Sequence, residues 1–416
     1  MKSAKELYQE RSKRVDDAIH MRVPDRVPIV PDAEFFPFLY SGISVQEGMY
    51  DYSKAYQAWK KMVTDFQFDE YVAPFVYSGP VMDILDFKQL KWPGHGLSAM
   101  QAYQFLEPGT GYAAMPAEDY DAFMDDPSDY MIHKYFPEIF GALKPLAKLP
   151  SIHDVICWYQ GVFDILPVIG APETVAAFEA LLKAAKEANR WFGTLLGFIG
   201  EMAELGFPTF TLAVTHAPYD YIGNFLRGTT GISMDLHRCP DKLLACCEKV
   251  TPWMIDFGAA GAKATGNPIV SIFLHKGAEG YMSNKQFEKF YWPTLRKVIM
   301  GLIDQGCMPY VYTEGGFTSR LEIISDVPKG KVIYHVEKDL FEAKKVLGDV
   351  ACLTGGPPAS LLCLGSPSEV TEYCKKCIEV VGKGGGYIMD AAAPIIEAKP
   401  ENIRAMTDAV MKYGVY

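Results

Sequence analysis

A chain of 416 residues with 49% apolar, 13% aromatic and 22% charged residues sits near the globular average and can bury a large core, which excludes disordered, collagen-like and coiled-coil classes. The 40 Lys and Arg against 51 Asp and Glu leave a net charge of −11, and no basic run exceeds a dipeptide, so neither a nucleic acid nor an anionic membrane is an expected partner. The length accommodates two or three domains, or one barrel of the (β/α) type.

Met1-Lys2-Ser3-Ala4-Lys5-Glu6 opens the chain without an apolar run, so no signal peptide is expected. Beyond an N-terminal helical extension, short β-rich runs recur, each followed by an amphipathic stretch: Val27 to Val30, Tyr71 to Tyr77, Thr209 to Thr215, Ile269 to His275, Pro309 to Thr313, Val332 to Val336, Val350 to Thr354 and Tyr387 to Asp390. Strands separated by crossovers of a dozen residues or more are parallel. Eight of them predict an α/β fold, a (β/α)8 TIM barrel forming one domain over residues 1–416. After the second run, Ser78 to roughly Gln160 is too long for one crossover and carries Pro80, Pro93, Gly94, Gly96, Pro108, Gly109 and Gly111. It reads as an insertion with hairpins over about 78–160, either a lid or wall over the site or a stabilising excursion on the closed face.

The most lipid-like stretch, Trp191 to Phe207, is cut by Glu201 and Glu204, so no membrane span is expected. Ser366-Pro367-Ser368-Glu369 combines an N-cap, a first-turn proline and a capping glutamate. Gly382-Lys-Gly-Gly-Gly386 ends that helix; its glycines precede a strand instead of following one, so they form a turn and not a phosphate loop. Nine cysteines, an odd number scattered along the chain, suit reduced thiols and a cytoplasmic location. Cys374 and Cys377 fall mid-helix without a second such pair and read as structural.

Barrel enzymes build their sites at the C-terminal ends of the strands. Here those ends are polar: His216 follows the third run, His275 and Glu279 the fourth, Glu314 the fifth, His335 ends the sixth, Gly355-Gly356-Pro357-Pro358 follows the seventh and Asp390 closes the eighth. Imidazoles converging with carboxylates suit Zn²⁺ with an open coordination position. Aromatic residues crowd the same ends, among them Phe36, Phe38, Phe75, Tyr77 and Tyr219. They read as packing between loops or as a pocket for an apolar or aromatic substrate, which His275 would also face.

The pattern Arg22-Val-Pro-Asp-Arg26-Val-Pro, His216-Ala-Pro-Tyr, Met282-Ser283 with Phe287 to Pro293, Glu314-Gly315, Gly355-Gly356-Pro357, Leu364-Gly365-Ser366-Pro367 and Pro400-Glu401-Asn402-Ile403 resembles the uroporphyrinogen decarboxylase superfamily over nearly the whole chain. That resemblance implies a (β/α)8 barrel and one of two activities: porphyrinogen decarboxylation without a cofactor, or zinc-dependent methyl transfer to or from corrinoid proteins. The decarboxylases carry an arginine-rich segment after the first strand, whereas Pro31 to Tyr40 here is acidic and aromatic, so decarboxylation is not expected. The thiol-directed methyltransferases use His-x-Cys at the fifth strand and Cys at the eighth; Tyr312, Glu314 and Asp390 stand there instead. Oxygen and nitrogen ligands leave zinc a harder Lewis acid, which points away from a thiol acceptor.

Glu314 and His335 are similar in spacing to the zinc signature of ether-cleaving methyltransferases, the substrate-specific component of anaerobic O-demethylase systems. No carboxylate lies in the Ile299 region where the third ligand is expected, which leaves Glu279 or Asp390. The resemblance thus implies catalytic residues Glu314, His335, His216 and Asp390, zinc on Glu314, His335 and Glu279, and a cobalamin carried on a separate corrinoid protein. The methyl donor would be a phenyl methyl ether. The alternatives are a methyltransferase of the same fold acting on an amine or thiol donor, and a non-catalytic ligand-binding member.

Overall fold

The computed structural model describes residues 2–72, 77–155 and 158–416. Six parallel strands lie side by side in chain order: β1 (Ala213–His216), β2 (Ile269–Leu274), β3 (Met308–Thr313), β4 (Ile333–Val336), β5 (Cys352–Gly355) and β6 (Tyr387–Met389). Each is followed or preceded by a helix that covers its outer face, among them Pro240–Thr265, Trp292–Asp304, Pro367–Val380 and Pro400–Tyr413. Alternate residues serve two cores. Val270, Ile272, Val311, Tyr334 and Leu353 pack outward against the helices, and Ile269, Tyr310, Tyr312, Ile333, Cys352 and Ile388 pack inside the sheet.

Eight regular strands are expected from the sequence, and the ladder has six among the described residues. The first run and the described residues of the second are joined to this ladder by single contacts. Ile29 bridges Met389 in parallel, with the Val30 amide donating to the Met389 carbonyl at 3.0 Å. The Asp69 amide donates to the Ile29 carbonyl at 3.0 Å, and Tyr71 bridges Thr209 in parallel. Proline explains the irregularity of the first segment: Pro28 and Pro31 have no N–H to give to a ladder. Part of the second expected run, residues 73–76, lies outside the described residues. The architecture is the α/β barrel predicted, with its first strand reduced to bridges.

The N-terminal helix, Ala4–Ile19, starts at Ser3, whose hydroxyl and backbone form a reciprocal capping box with Glu6. Val15, Ala18 and Ile19 join the interior cluster beside Ile269 and Met308, so the helix plugs the end of the barrel where the strands begin. The opposite end is walled by the insertion. Among its described residues, a small sheet in which Leu90–Pro93 pairs antiparallel with Gln104–Phe105 and in parallel with Gly96–Leu97 stands for the expected hairpins; most of the remainder is helical. The insertion reaches the mouth through the Tyr103 hydroxyl, which donates to Glu34 at 2.7 Å, and through Glu107, which accepts from the Thr229 amide at 2.9 Å and from the buried Lys276 ammonium.

The Ser366 capping box forms as read, and Gly384, Gly385 and Gly386 take positive φ in the turn before β6. Cys374 and Cys377 are fully buried between helices. Among the described residues, no single helix is long and apolar enough to cross a membrane.

Candidate active site at the barrel mouth

The strand register sets a row of inward-facing residues near the strand ends: His216 pairs with Phe273, Phe273 with Tyr312, Tyr312 with His335 and His335 with Thr354. Tyr312 and His335 lie ring on ring, centroids 3.8 Å apart and 10° from parallel, both fully buried. His335 is satisfied within the fold. Its Nε2 faces the Ala392 carbonyl at 3.1 Å, the tautomer in which this nitrogen carries the proton, and Nδ1 sits 2.9 Å from the Thr354 hydroxyl and 3.4 Å from Asp390. Asp390 is tied to backbone, accepting from the amides of Asp32 at 3.1 Å and Ala391 at 2.6 Å. The Gly355-Gly356 turn allows this arrangement, since a Cβ on Gly356 would fall 2.1 Å from the Asp390 carbonyl oxygen.

Beside this half stands a second one. Glu314 Oε1 is 3.4 Å from His275 Nε2, and the Asn224 amide contacts His275 Nδ1 at 2.7 Å. The backbone that carries His275 is clamped by the buried Asp220, which accepts from the amides of His275 and Lys276, each at 2.8 Å. Burial alone would lower the His275 pKa, but the Glu314 hydrogen bond and the charge of Asp220 outweigh it and raise the value. Neighbouring His216 moves the other way, to about 4, through burial and the charge of His275.

Asp32 and Glu34, on the extended segment that follows Val27–Val30, complete the mouth. Enclosure raises the Asp32 pKa well above the carboxylate range, reinforced by Asp390, Glu34 and Glu314. Enclosure and Glu314 raise Glu34, against the pull of the Tyr103 hydroxyl. The mouth therefore gathers carboxyls that repel one another's charge and keep a proton among them. Two polar atoms here are buried without a hydrogen-bond partner among the described residues, the Tyr312 hydroxyl and His216 Nδ1. Such groups are uncommon in folded proteins, and a molecule entering the mouth could supply a partner to either.

Several expected residues are placed elsewhere. Glu279 lies on an exposed loop, accepting from the Ser319 amide at 2.6 Å. No three His, Cys, Asp or Glu side chains among the described residues are gathered closely enough to hold a metal ion. With Glu279 bound outward and both His335 nitrogens engaged, Glu314, His335 and Glu279 do not fit zinc as arranged. Phe36, Phe38 and Tyr219 are core residues, not pocket walls: Phe36 stacks on Tyr40, Phe38 packs against Gly48, and Tyr219 lies against Tyr291. Apolar burial of these rings outweighs any gain from presenting them to a ligand. Tyr77 does remain exposed, its ring edge-on to Tyr103 at 5.2 Å, and Phe75 lies outside the described residues. Sequence reading missed Asp32, Glu34 and Tyr103 as site members; the acidic character of Pro31 to Tyr40 was the signal available for the first two.

Residues 164–413 match the Uroporphyrinogen decarboxylase (URO-D) family, well over half of the chain. The chain belongs to that family. Among solved structures, this URO-D family member superposes on a methyltransferase from Methanosarcina mazei with a TM-score of 0.61 at 13% identity, over 97% of this chain and 98% of that one. That is a likeness of fold spanning both chains. A B12-independent methionine synthase from Shewanella sp. W3-18-1 aligns over 45% of this chain and 59% of its own at a TM-score of 0.30 and 10% identity, too little to support a comparison. No curated protein matches the sequence.

Proposed function

We propose that this URO-D family member is a methyltransferase that takes the methyl group of a phenyl methyl ether and passes it to the corrinoid of a separate protein. The observation that carries the reading is the enclosed acidic mouth. Asp32 and Glu34 occupy the segment where the decarboxylases of the family are arginine-rich, and carboxyls there would repel a polycarboxylate porphyrinogen instead of gripping it. The spacing of Glu314 and His335, similar to that of ether-cleaving methyltransferases, supports the same reading, as does a fold neighbour that is named a methyltransferase.

Cleaving an aryl ether leaves the electron pair of the broken C–O bond on a phenolate oxygen, which needs a proton. A carboxyl whose surroundings favour its protonated form is a suitable general acid, and burial beside Asp390, Glu34 and Glu314 makes Asp32 such a group. On this reading the Tyr312 hydroxyl, buried without a partner among the described residues, would donate a hydrogen bond to the ether oxygen, and Tyr77 with Tyr103 would offer an aromatic edge for the ring. The corrinoid on the partner supplies the nucleophile that accepts the methyl group. On this reading the chain's own contribution is the proton on Asp32, since Glu314, His335 and Glu279 are not gathered around a zinc position.

The test supplies the purified chain with a reduced corrinoid protein and an aryl methyl ether and follows phenol release. Turnover by the wild type and a fall of about 10²–10⁴ in Asp32→Asn are expected. Undiminished release by that variant would remove Asp32 from the chemistry. Turnover of a methylamine or methyl thioether with no ether cleavage would overturn the substrate class.

A further inference from the structure

The Pro172–Glu204 helix carries three stripes where a surface helix ordinarily carries two. One, including Ala177, Ala184, Leu195, Phe198 and Met202, is buried against the protein. A second is polar and engaged: Glu187 accepts from the Tyr52 hydroxyl and Glu201 from the Lys60 ammonium. The third is apolar and bare. Val175, Leu182, Asn189 and Leu196 follow one another at intervals of seven, and Phe178, Ala185, Phe192 and Ile199 each come three residues later. This is the a/d pattern of a helix seam, with one polar residue, Asn189, in an a position. Phe178 and Ile199 are half-buried at its two ends; the large residues between them stand in solvent.

We propose that this stripe is the contact between two copies of the chain, with their helices packed antiparallel around a twofold axis. Antiparallel pairing sets Val175 on Ile199, Phe178 on Leu196, Leu182 on Phe192 and Ala185 on Asn189. Large side chains then meet large ones away from the axis, and the smallest meet at the centre, where the helices come closest. The helix also changes relief along its length. Its second half holds Gly193, Gly197 and Gly200, each with open space where a Cβ would stand, and its first half is bulky at Phe178, Leu181 and Leu182. Only antiparallel packing lays the bulky half of one helix over the glycine half of the other.

The area suits a dimer. The helix has 33 residues, about 50 Å of length. The neighbouring Trp158–Ile169 helix adds Val162, Phe163 and Leu166, and these three with Val175, Leu182, Phe192 and Leu196 are 40–66% exposed. At about 200 Å² for a fully exposed large side chain, the four on the long helix present roughly 450 Å², and the three on the shorter helix, which bends from it by 80°, bring the total to roughly 800 Å², more than the ~300–600 Å² patch a monomer leaves bare and close to the ~800 Å² each partner gives a standard interface.

Light scattering and sedimentation of the full chain are expected to show a dimer. Leu182→Glu combined with Phe192→Glu should convert it to a monomer whose thermal unfolding stays cooperative, because both positions are exposed in the single chain. For orientation, chains bearing Ala185→Cys are mixed with chains bearing Asn189→Cys and oxidised, with the wild type as control for native thiols. The mixture should crosslink and each variant alone should not. Self-crosslinking of Asn189→Cys would overturn the antiparallel arrangement. A wild type that is monomeric at tens of micromolar, a dimer indifferent to the two glutamates, or a monomer that co-floats with phospholipid vesicles would overturn the proposal.

Discussion

Asp32 combines two effects that one substitution separates. Its raised pKa means that folding holds a proton which the unfolded chain releases above about pH 4, so the group opposes stability at neutral pH. Asp32→Asn should therefore raise the melting temperature at pH 7 while turnover falls by the same ~10²–10⁴, and a thermal melt beside the activity assay checks both. A variant that loses stability along with activity would show Asp32 to be a structural group. The two histidines across the mouth give opposite limbs of a pH profile. His216, lowered to about 4, contributes stability that is full above the ordinary histidine value of 6.5 and is lost as pH falls toward 4, because unfolding takes up its proton in that window. His275, raised by Glu314, contributes stability that is present below 6.5 and lost as pH rises through its folded value. Urea midpoints measured against pH should flatten on the acid side in His216→Phe and on the alkaline side in His275→Gln. At the same scale, His335→Ala is expected to cost about 2–4 kcal/mol of stability, since it empties a fully buried position and orphans Thr354 and Ala392. Denaturant titration checks this.

Among the elements, the two segments joined to the ladder by single contacts depend on one carboxylate. Asp69, fully buried, accepts from the Arg14 and Arg26 guanidiniums at 2.6 and 2.7 Å and from the Ile29 amide at 2.9 Å. It joins the N-terminal helix, the first extended segment and the second at a single point. Asp69→Ala takes the shared carboxylate from two arginines and the Ile29 amide, although Arg14 keeps Asp25 and Glu10, and is expected to cost about 3 kcal/mol, read as a shift in the urea midpoint; a loss under about 1 kcal/mol would show that these segments hold without the network. The Gly355-Gly356 turn ties an element to the site in the same way. Gly356→Ala must push the Asp390 carbonyl away, so Asp390 moves off Asp32, and activity should fall further than stability does. The helices were the easiest elements to read: the Ser366-x-x-Glu369 box and the glycines after it are local signals, complete within a few residues, and they form as written. The first strand is less regular than its composition suggests, because β-propensity marks a run as extended but says nothing of whether its neighbours reach its amides.

At the scale of the whole molecule, the barrel is closed at one end by the Ala4–Ile19 helix and walled at the other by the insertion. Val15, Ala18 and Ile19 cover interior residues of strands that begin more than two hundred residues later, so a chain lacking residues 1–19 should expose that layer and unfold well below the full-length protein. Dye binding with a thermal scan measures it; an unchanged transition would mean that the interior core needs no plug.

The sequence by itself determined the period of the fold, the parallel order of its strands and the polarity of their ends. These follow from spacing and alternation, which are local and survive without coordinates. It also carried the family resemblance that the match over residues 164–413 bears out. Only the tertiary structure decided which polar ends meet. His335 and Glu314 stand one β-strand apart in the chain, yet His335 turns to Thr354 and Ala392 and Glu314 to His275, because each takes the partner that burial leaves it. Phe36, Phe38 and Tyr219 look like pocket walls in one dimension and are core in three. Asp32, read only as part of an acidic segment, becomes the central acid because its proton depends on enclosure and on three carboxyls distant in sequence or two residues away, and a distance of that kind is a property of the folded chain alone.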